Sequence, residues 1–228
     1  MNNDQTVTEE RREMYHFLAQ IFLRPPTAAM LALLREEGAA ALLPADDESK
    51  SSWMREMDAF REELKDMTDP VAEMEAEHTA LFVLPSGVLP HEAVYLDEKK
   101  RLGGRISMSV ASFYEEAAME MSDECIEMPD HLGMELEFMA RLCGLEKLFC
   151  EEDDQISLQV CRTFQQDFMK RHLGCWAGQC CEAVMNEAGY GFYRAVAQIT
   201  MAFLATEDEY LSHEQTGKEN LVWESATA

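Results

Sequence analysis

The stretch EMPDHLGMELEFMARL, residues 127–142, carries the clearest periodicity in the chain. Leu132, Leu136, Met139 and Cys143 recur at spacings of three and four, the signature of a helix with one buried face. Pro129 suits a first helical turn, where its missing N–H costs nothing, and Asp130 is favoured there by the positive end of the helix dipole. A helix is therefore predicted from this turn to Phe149. His131 has no such explanation, because a protonated imidazole at a helix N-terminus opposes the dipole. Glu135 lies four residues on along the same face. Spacing alone leaves three readings open: a capped helix start, a polar binding pair, or a catalytic or metal site.

Working outward, helical periodicity covers most of the chain. Met14, Phe17, Leu18, Ile21 and Phe22 form a stripe after Thr8, a candidate cap, and Pro25 and Pro26 end it. A second helix is expected over residues 27–43 and a third after Ser51 and Ser52, through Trp53, Met57, Phe60 and Leu64. A fourth opens at Pro70. The segment VLPSGVLPHEAVYLDEKKRLGG, residues 83–104, has no helical period and is punctuated by Pro85, Gly87, Pro90, Gly103 and Gly104. A loop of this length in a compact domain is usually functional.

Helices resume with ISMSVASFYEEAAMEM. Residues 155–188 hold one broken or two long helices, with Val160, Phe164, Phe168, His172 and Trp176 in an i, i+4 series and Gly174 and Gly178 as interruptions. The last helix is expected over Tyr190 to Thr206, followed by a polar tail, 207–228, from which Trp223 docks back; a hinge is expected near 122–129. The prediction is a single all-α domain over 1–228, a compact bundle of about eight to twelve helices with one long functional loop.

Acidic residues number 44 against 19 basic ones, for a net charge of -25. That balance repels a phosphate backbone, so nucleic acid is not expected as a partner. It favours cationic partners, and it serves solubility equally well. The 16 methionines add flexible, polarizable side chains that adapt to varied apolar sequences, although simple core filling accounts for most of them. The 7 cysteines form no CxxC and no metal-knuckle spacing. With an odd count and no leader-type N-terminal core, the expected setting is the reducing cytoplasm. Arg11-Arg12 lies among acids in TEERREM and reads as ordinary helix. No apolar run approaches the ~20 residues of a membrane span.

Glu75 and His78 supply one Glu-x-x-His element, but a di-metal bundle needs a second copy, and no other histidine has a glutamate three residues before it. Nucleophile and phosphate-loop signatures are missing. KKRLGGR, residues 99–105, reads as a solvated basic face, and His172 as a core-edge histidine. No metal or cofactor is assigned. The enzyme alternative is a helical metal-dependent hydrolase using His78, Asp130, His131 and Glu135.

Four blocks resemble, in order over roughly residues 10–206, the TorD, DmsD and NarJ type of redox-enzyme maturation chaperone: HTALFVLPSGVLPHEAVYLDE, SMSVASFYEEAAMEM, the opening stretch, and FMKRHLGCWAGQCCEAVMNEAGYGFYRAVAQITMAFL. Pro-Asp-His ahead of an acidic amphipathic helix is the most specific block. The resemblance implies a TorD-like, all-helical, non-enzymatic cytoplasmic chaperone. Such a chaperone binds the twin-arginine signal peptide of a molybdenum-cofactor oxidoreductase and holds the apoenzyme for cofactor insertion before export, as a monomer or a helix-swapped homodimer. It implies a peptide-binding set of Leu81, Phe82, Pro90, His91, Val94, Tyr95, Asp97, Glu127, Asp130 and His131. Within that set, Asp130 is suited to accept arginine hydrogen bonds in charge-assisted geometry. His78 and His91 stand where many members carry an aromatic residue.

Overall fold

The computed structural model describes residues 3–37, 52–122 and 125–226, with side-chain surroundings for 5–36, 52–122 and 125–212. These residues form ten α-helices and no strand: α1 (Asn3–Leu23), α2 (Ala28–Glu37), α3 (Ser52–Asp66), α4 (Pro70–His78), α5 (Glu92–Leu96), α6 (Gly104–Glu116), α7 (Leu132–Glu151), α8 (Gln155–Arg171), α9 (Leu173–Glu187) and α10 (Gly191–Ala226). The all-α expectation holds, and no single helix among the described residues is long and apolar enough to cross a membrane.

The central pair is α1 on α7. Tyr15, Leu18, Ala19 and Phe22 meet the predicted α7 stripe of Leu132, Leu136, Met139 and Cys143, all buried. Gly133 permits the close crossing, since a Cβ there would lie 2.5 Å from Leu23 Cγ. α10 lies on α3 and α9, and α8 packs between α7 and α9. Phe113, Phe138, Phe164 and Phe168 join α6, α7 and α8 edge to face. A second aromatic group, Phe22, Phe82 and Tyr193, joins α1 to α10.

Several boundaries differ from the sequence reading. Thr8 lies inside α1 rather than capping it. Pro70 does open α4, with Asp69 as the cap through Ala72 N–H. The interruption near Gly174 is a break at His172 (φ -129, ψ -96) between α8 and α9. The long loop contains α5, too short to show a period.

The supposed tail is helical to Ala226. Glu207, Tyr210 and Leu211, at spacings of three and four, turn one side inward, with Glu207 and Leu211 buried. Trp223 and residues 38–43 of the second predicted helix fall outside the described side chains and residues, as do positions 123 and 124 of the expected hinge.

Candidate functional site

Two separated Pro-containing turns meet at the head of α7. The Leu132 N–H donates to Pro90 O at 2.8 Å, and the Glu92 N–H donates to Asp130 O at 2.9 Å. His91 and His131 therefore face each other in an isolated antiparallel bridge, with their rings edge to face at 5.1 Å. The Asp130 side chain reaches across the same seam, where Oδ2 accepts the Ala93 N–H at 3.1 Å. The long loop and the Pro-Asp-His stretch, 37 residues apart, thus form one structure.

This geometry resolves how α7 begins. Asp130 is committed to Ala93, so it does not cap the helix, and the first turn shifts to Leu132. His131 is the cap: its Nδ1 accepts the Gly133 N–H at 3.0 Å, which places the ring proton on Nε2. Burial, with His91 and His78 nearby, lowers its pKa to about 3. Desolvation holds His78 and His91 below the ordinary value as well.

One turn into α7, Glu135 is wholly buried and Oε2 accepts the Trp176 Nε1–H at 3.0 Å. Burial and the adjacent Glu92 carboxyl push its pKa well above the usual carboxyl range. Glu92, on α5, pairs with His172 Nδ1 at 3.0 Å across the break between α8 and α9. The Tyr95 ring stacks near Trp176 at 5.4 Å, and the Tyr114 hydroxyl donates to Pro129 O at 2.8 Å. Four segments are thereby tied around one buried polar cluster.

The ten candidate residues do not share one surface. Pro90, His91, Asp130 and His131 come together but are buried, Asp130 at 0% and His131 at 3% exposure. Val94, Tyr95 and Glu127 are half-buried beside them. Asp97 lies beyond α5, where its carboxylate accepts the Lys99 N–H and pairs with Arg101 at 3.7 Å. Leu81 and Phe82 point into the core from the π-helical segment Thr79–Val83. Reading the sequence missed Glu92 and Trp176 as members of the cluster, and it assigned His172 to the core edge. Among the described residues no three or more His, Cys, Asp or Glu side chains are arranged to hold a metal ion, so the hydrolase alternative has no ligand set.

An open cleft of about 370 Å³ adjoins the Pro-Asp-His turn, lined by Leu23, Tyr114, Met119, Met121, Met134 and Phe138, with Glu120, Glu137, Arg24 and Arg141 among its polar residues. It combines flexible apolar side chains with two acids and two arginines, a lining that suits an apolar peptide segment.

The neutral His131 cap gives a pH prediction. Its folded pKa lies below the unfolded value of ~6.5, so on acidification the unfolded chain binds a proton that the folded chain refuses. Stability is expected to fall between about pH 6.5 and about pH 3, with a slope from this group of at most ~1.4 kcal/mol per pH unit. Urea denaturation at a series of pH values should show a shallower acid loss in His131→Asn, which keeps a capping oxygen without the titration. Parallel profiles for the two proteins would contradict this role.

A sequence profile for the nitrate reductase delta subunit matches residues 46–182. Over 215 residues, covering 92% of this chain and 96% of the relative, the chain is 25% identical to chaperone protein TorD of Vibrio cholerae serotype O1 (strain ATCC 39541). Identity is 22% over 222 residues with the TorD chaperone of Aliivibrio salmonicida, covering 94% of this chain and 100% of the relative. It is 24% over 219 residues with that of Shewanella pealeana, covering 91% and 92%.

Proposed function

Because the chain belongs to the nitrate reductase delta subunit family, we propose that it is a maturation chaperone. In this role it binds the twin-arginine leader of a molybdenum-cofactor oxidoreductase and holds the apoenzyme until the cofactor is inserted. The named relatives supply the chaperone role, and the resemblance read from the sequence supplies the leader chemistry. The observation that supports it most in this chain is the methionine-lined cleft beside the Pro129–His131 turn. Thioether side chains repack around different apolar segments at little cost. A leader's apolar stretch lies in that cleft, and its two arginines lie toward Glu120 and the Asp130 turn.

Two carboxyl groups on the cleft, Glu120 and Glu137, differ in availability. Glu137 is engaged by Arg141 at 3.5 Å and by His16 Nδ1 at 2.8 Å, while Glu120 is exposed. The chain's net charge of -25 adds long-range attraction for a cationic leader, which salt screens over ~8 Å at physiological ionic strength.

Co-purification of a candidate client with and without its leader tests the proposal. The full-length apoenzyme is expected to be retained by the chain, and deletion of the leader is expected to release it. Retention unchanged by that deletion would mark the chain as an adaptor for the folded enzyme rather than a leader-reading chaperone.

A further inference from the structure

We infer that the cleft between the loop after α5, the start of α6 and the C-terminal end of α8 is a docking site for an acidic polypeptide segment that also carries apolar side chains. The cleft holds about 670 Å³ and includes Arg105, Ile106 and Ser109 of α6. The methionine-lined cleft takes Tyr114 from the other end of the same helix, so the two are separate. KKRLGGR, residues 99–105, runs through this second cleft, and the leader-binding role does not use it. In a chain of net charge -25, that stretch brings together Lys99, Lys100, Arg101 and Arg105 with no acid among them.

The charges lining the cleft are unequally committed. Asp97 accepts the Lys99 N–H and pairs with Arg101, and Glu92 pairs with His172. Among the described residues this leaves Glu98 as the one lining acid without an ion pair. Against it stand three exposed cations: Lys99 and Arg105, whose side chains have no carboxylate partner, and Arg171, which lies over the Phe113 ring at 5.2 Å. α6 starts here behind Gly103 with no side-chain cap, so its first N–H groups and the positive end of its dipole add to the same attraction for anions. In the cleft wall His172 is buried, and its Nε2 has no hydrogen-bond partner among the described residues.

The surroundings select the occupant. The chain's overall charge repels a nucleic-acid backbone. A phosphoryl group is held by donors converging on one point, whereas these cations stand on three elements. Leu96 and Leu102 are exposed on the same loop, and Ile106 lines the wall between the charges. Separated cations with apolar side chains between them match a polypeptide that carries carboxylates and leucine-type residues at intervals, the mode in which arginine clusters read acidic motifs. This assignment does not depend on leader binding.

The test uses the full chain and a fluorescein-labelled synthetic peptide in which Glu and Leu are spaced by Ser, with fluorescence anisotropy read at one fixed ionic strength. Saturable binding is expected. Affinity should fall by about tenfold or more when every Glu of the peptide is changed to Gln, and should also fall when every Leu is changed to Ser. Arg105→Gln/Arg171→Gln should lose about tenfold or more for the Glu-Leu peptide and keep its affinity for a twin-arginine leader peptide. Lys65→Gln, which removes an exposed cation outside the cleft, should change neither. Both arginines are exposed, so the double variant is expected to melt with the wild type by circular dichroism; if it does not fold, Arg105→Gln alone carries the test with a smaller loss. Equal affinity for the Glu and Gln peptides, undiminished affinity in the arginine variant, or no binding of the Glu-Leu peptide overturns the site. Displacement of that peptide by inorganic pyrophosphate at concentrations below the peptide's own Kd overturns it as well, and gives the cleft to phosphoryl groups.

Discussion

Replacing Arg11 by methionine is expected to cost about 3–5 kcal/mol of stability, the range for removing one partner of a buried ion pair. Arg11 sits on α1 with 5% exposure. Its guanidinium donates to Glu207 on α10 at 2.9 Å, to Glu146 on α7 at 3.1 Å and to Gln165 on α8 at 2.7 Å, while lying 4.4 Å from the Tyr210 ring. Methionine keeps the apolar stem and deletes the charge. Glu146 retains Arg162 at 2.7 Å; Glu207, equally buried, loses the only cation paired with it among the described residues. Against the opposing push of burial, Arg11, Gln165 and Arg162 hold the Glu146 carboxyl below its usual range, so part of that support is lost too. Adding Glu207→Gln to Arg11→Met should restore part of the loss, since it removes the uncompensated charge. Urea denaturation followed by circular dichroism reads both variants. A loss below ~1 kcal/mol for Arg11→Met would place the group among weakly contributing surface pairs.

That network shows where sequence reading stops. Arg11 and Arg12 look alike in TEERREM, yet Arg11 points inward to three helices while Arg12 pairs with Glu9 three residues away on the surface. The partners of Arg11 lie 135, 154 and 196 residues on, and hydrophobic periodicity carries no record of such pairings. The same blindness misassigned residues after 206. An acidic stretch with few apolar residues reads as solvated, but Glu207 ties α10 to α1 through Arg11. Apolar stripes were legible because each helix must bury one face, so the positions of α1, α3 and α7 followed from spacing, while over residues 155–188 spacing left one broken or two long helices open and ran through the break at His172.

For the candidate site residues, spacing and residue type carried no information on burial. Leu81 and Phe82 end an apolar helix before a Pro-rich loop, a pattern that suggests a groove. The chain instead widens into a π-helical turn, with Leu84 N–H reaching Thr79 O at 3.0 Å. That turn directs both side chains inward and exposes Val83 and Leu84. Pro-Asp-His likewise looks like a helix start at Pro129 until Asp130 finds a partner in the distant loop. A local reading gives Asp130 only the helix dipole; the fold gives it the Ala93 N–H. Glu92 escaped notice because one acid in a five-residue helix has no periodic signal, and its partner His172 read only as a core-edge histidine between Phe168 and Trp176.

The proposed reading of paired arginines in a client leader is open to calorimetric titration at one fixed ionic strength. The leader peptide of a molybdoenzyme is titrated into the full chain, then the same peptide with both arginines replaced by lysine. Lysine keeps the charge but presents a strongly hydrated point donor in place of the planar fork. If the arginines meet desolvated carboxylates, the exchange should lose about 2 kcal/mol or more, roughly thirtyfold in affinity. Charge attraction alone would make the two peptides nearly equal, because the long-range field does not distinguish the cations. Binding of the arginine peptide with a loss of that size on lysine substitution is expected; superimposable titration curves for the two peptides would rule out an arginine-reading site.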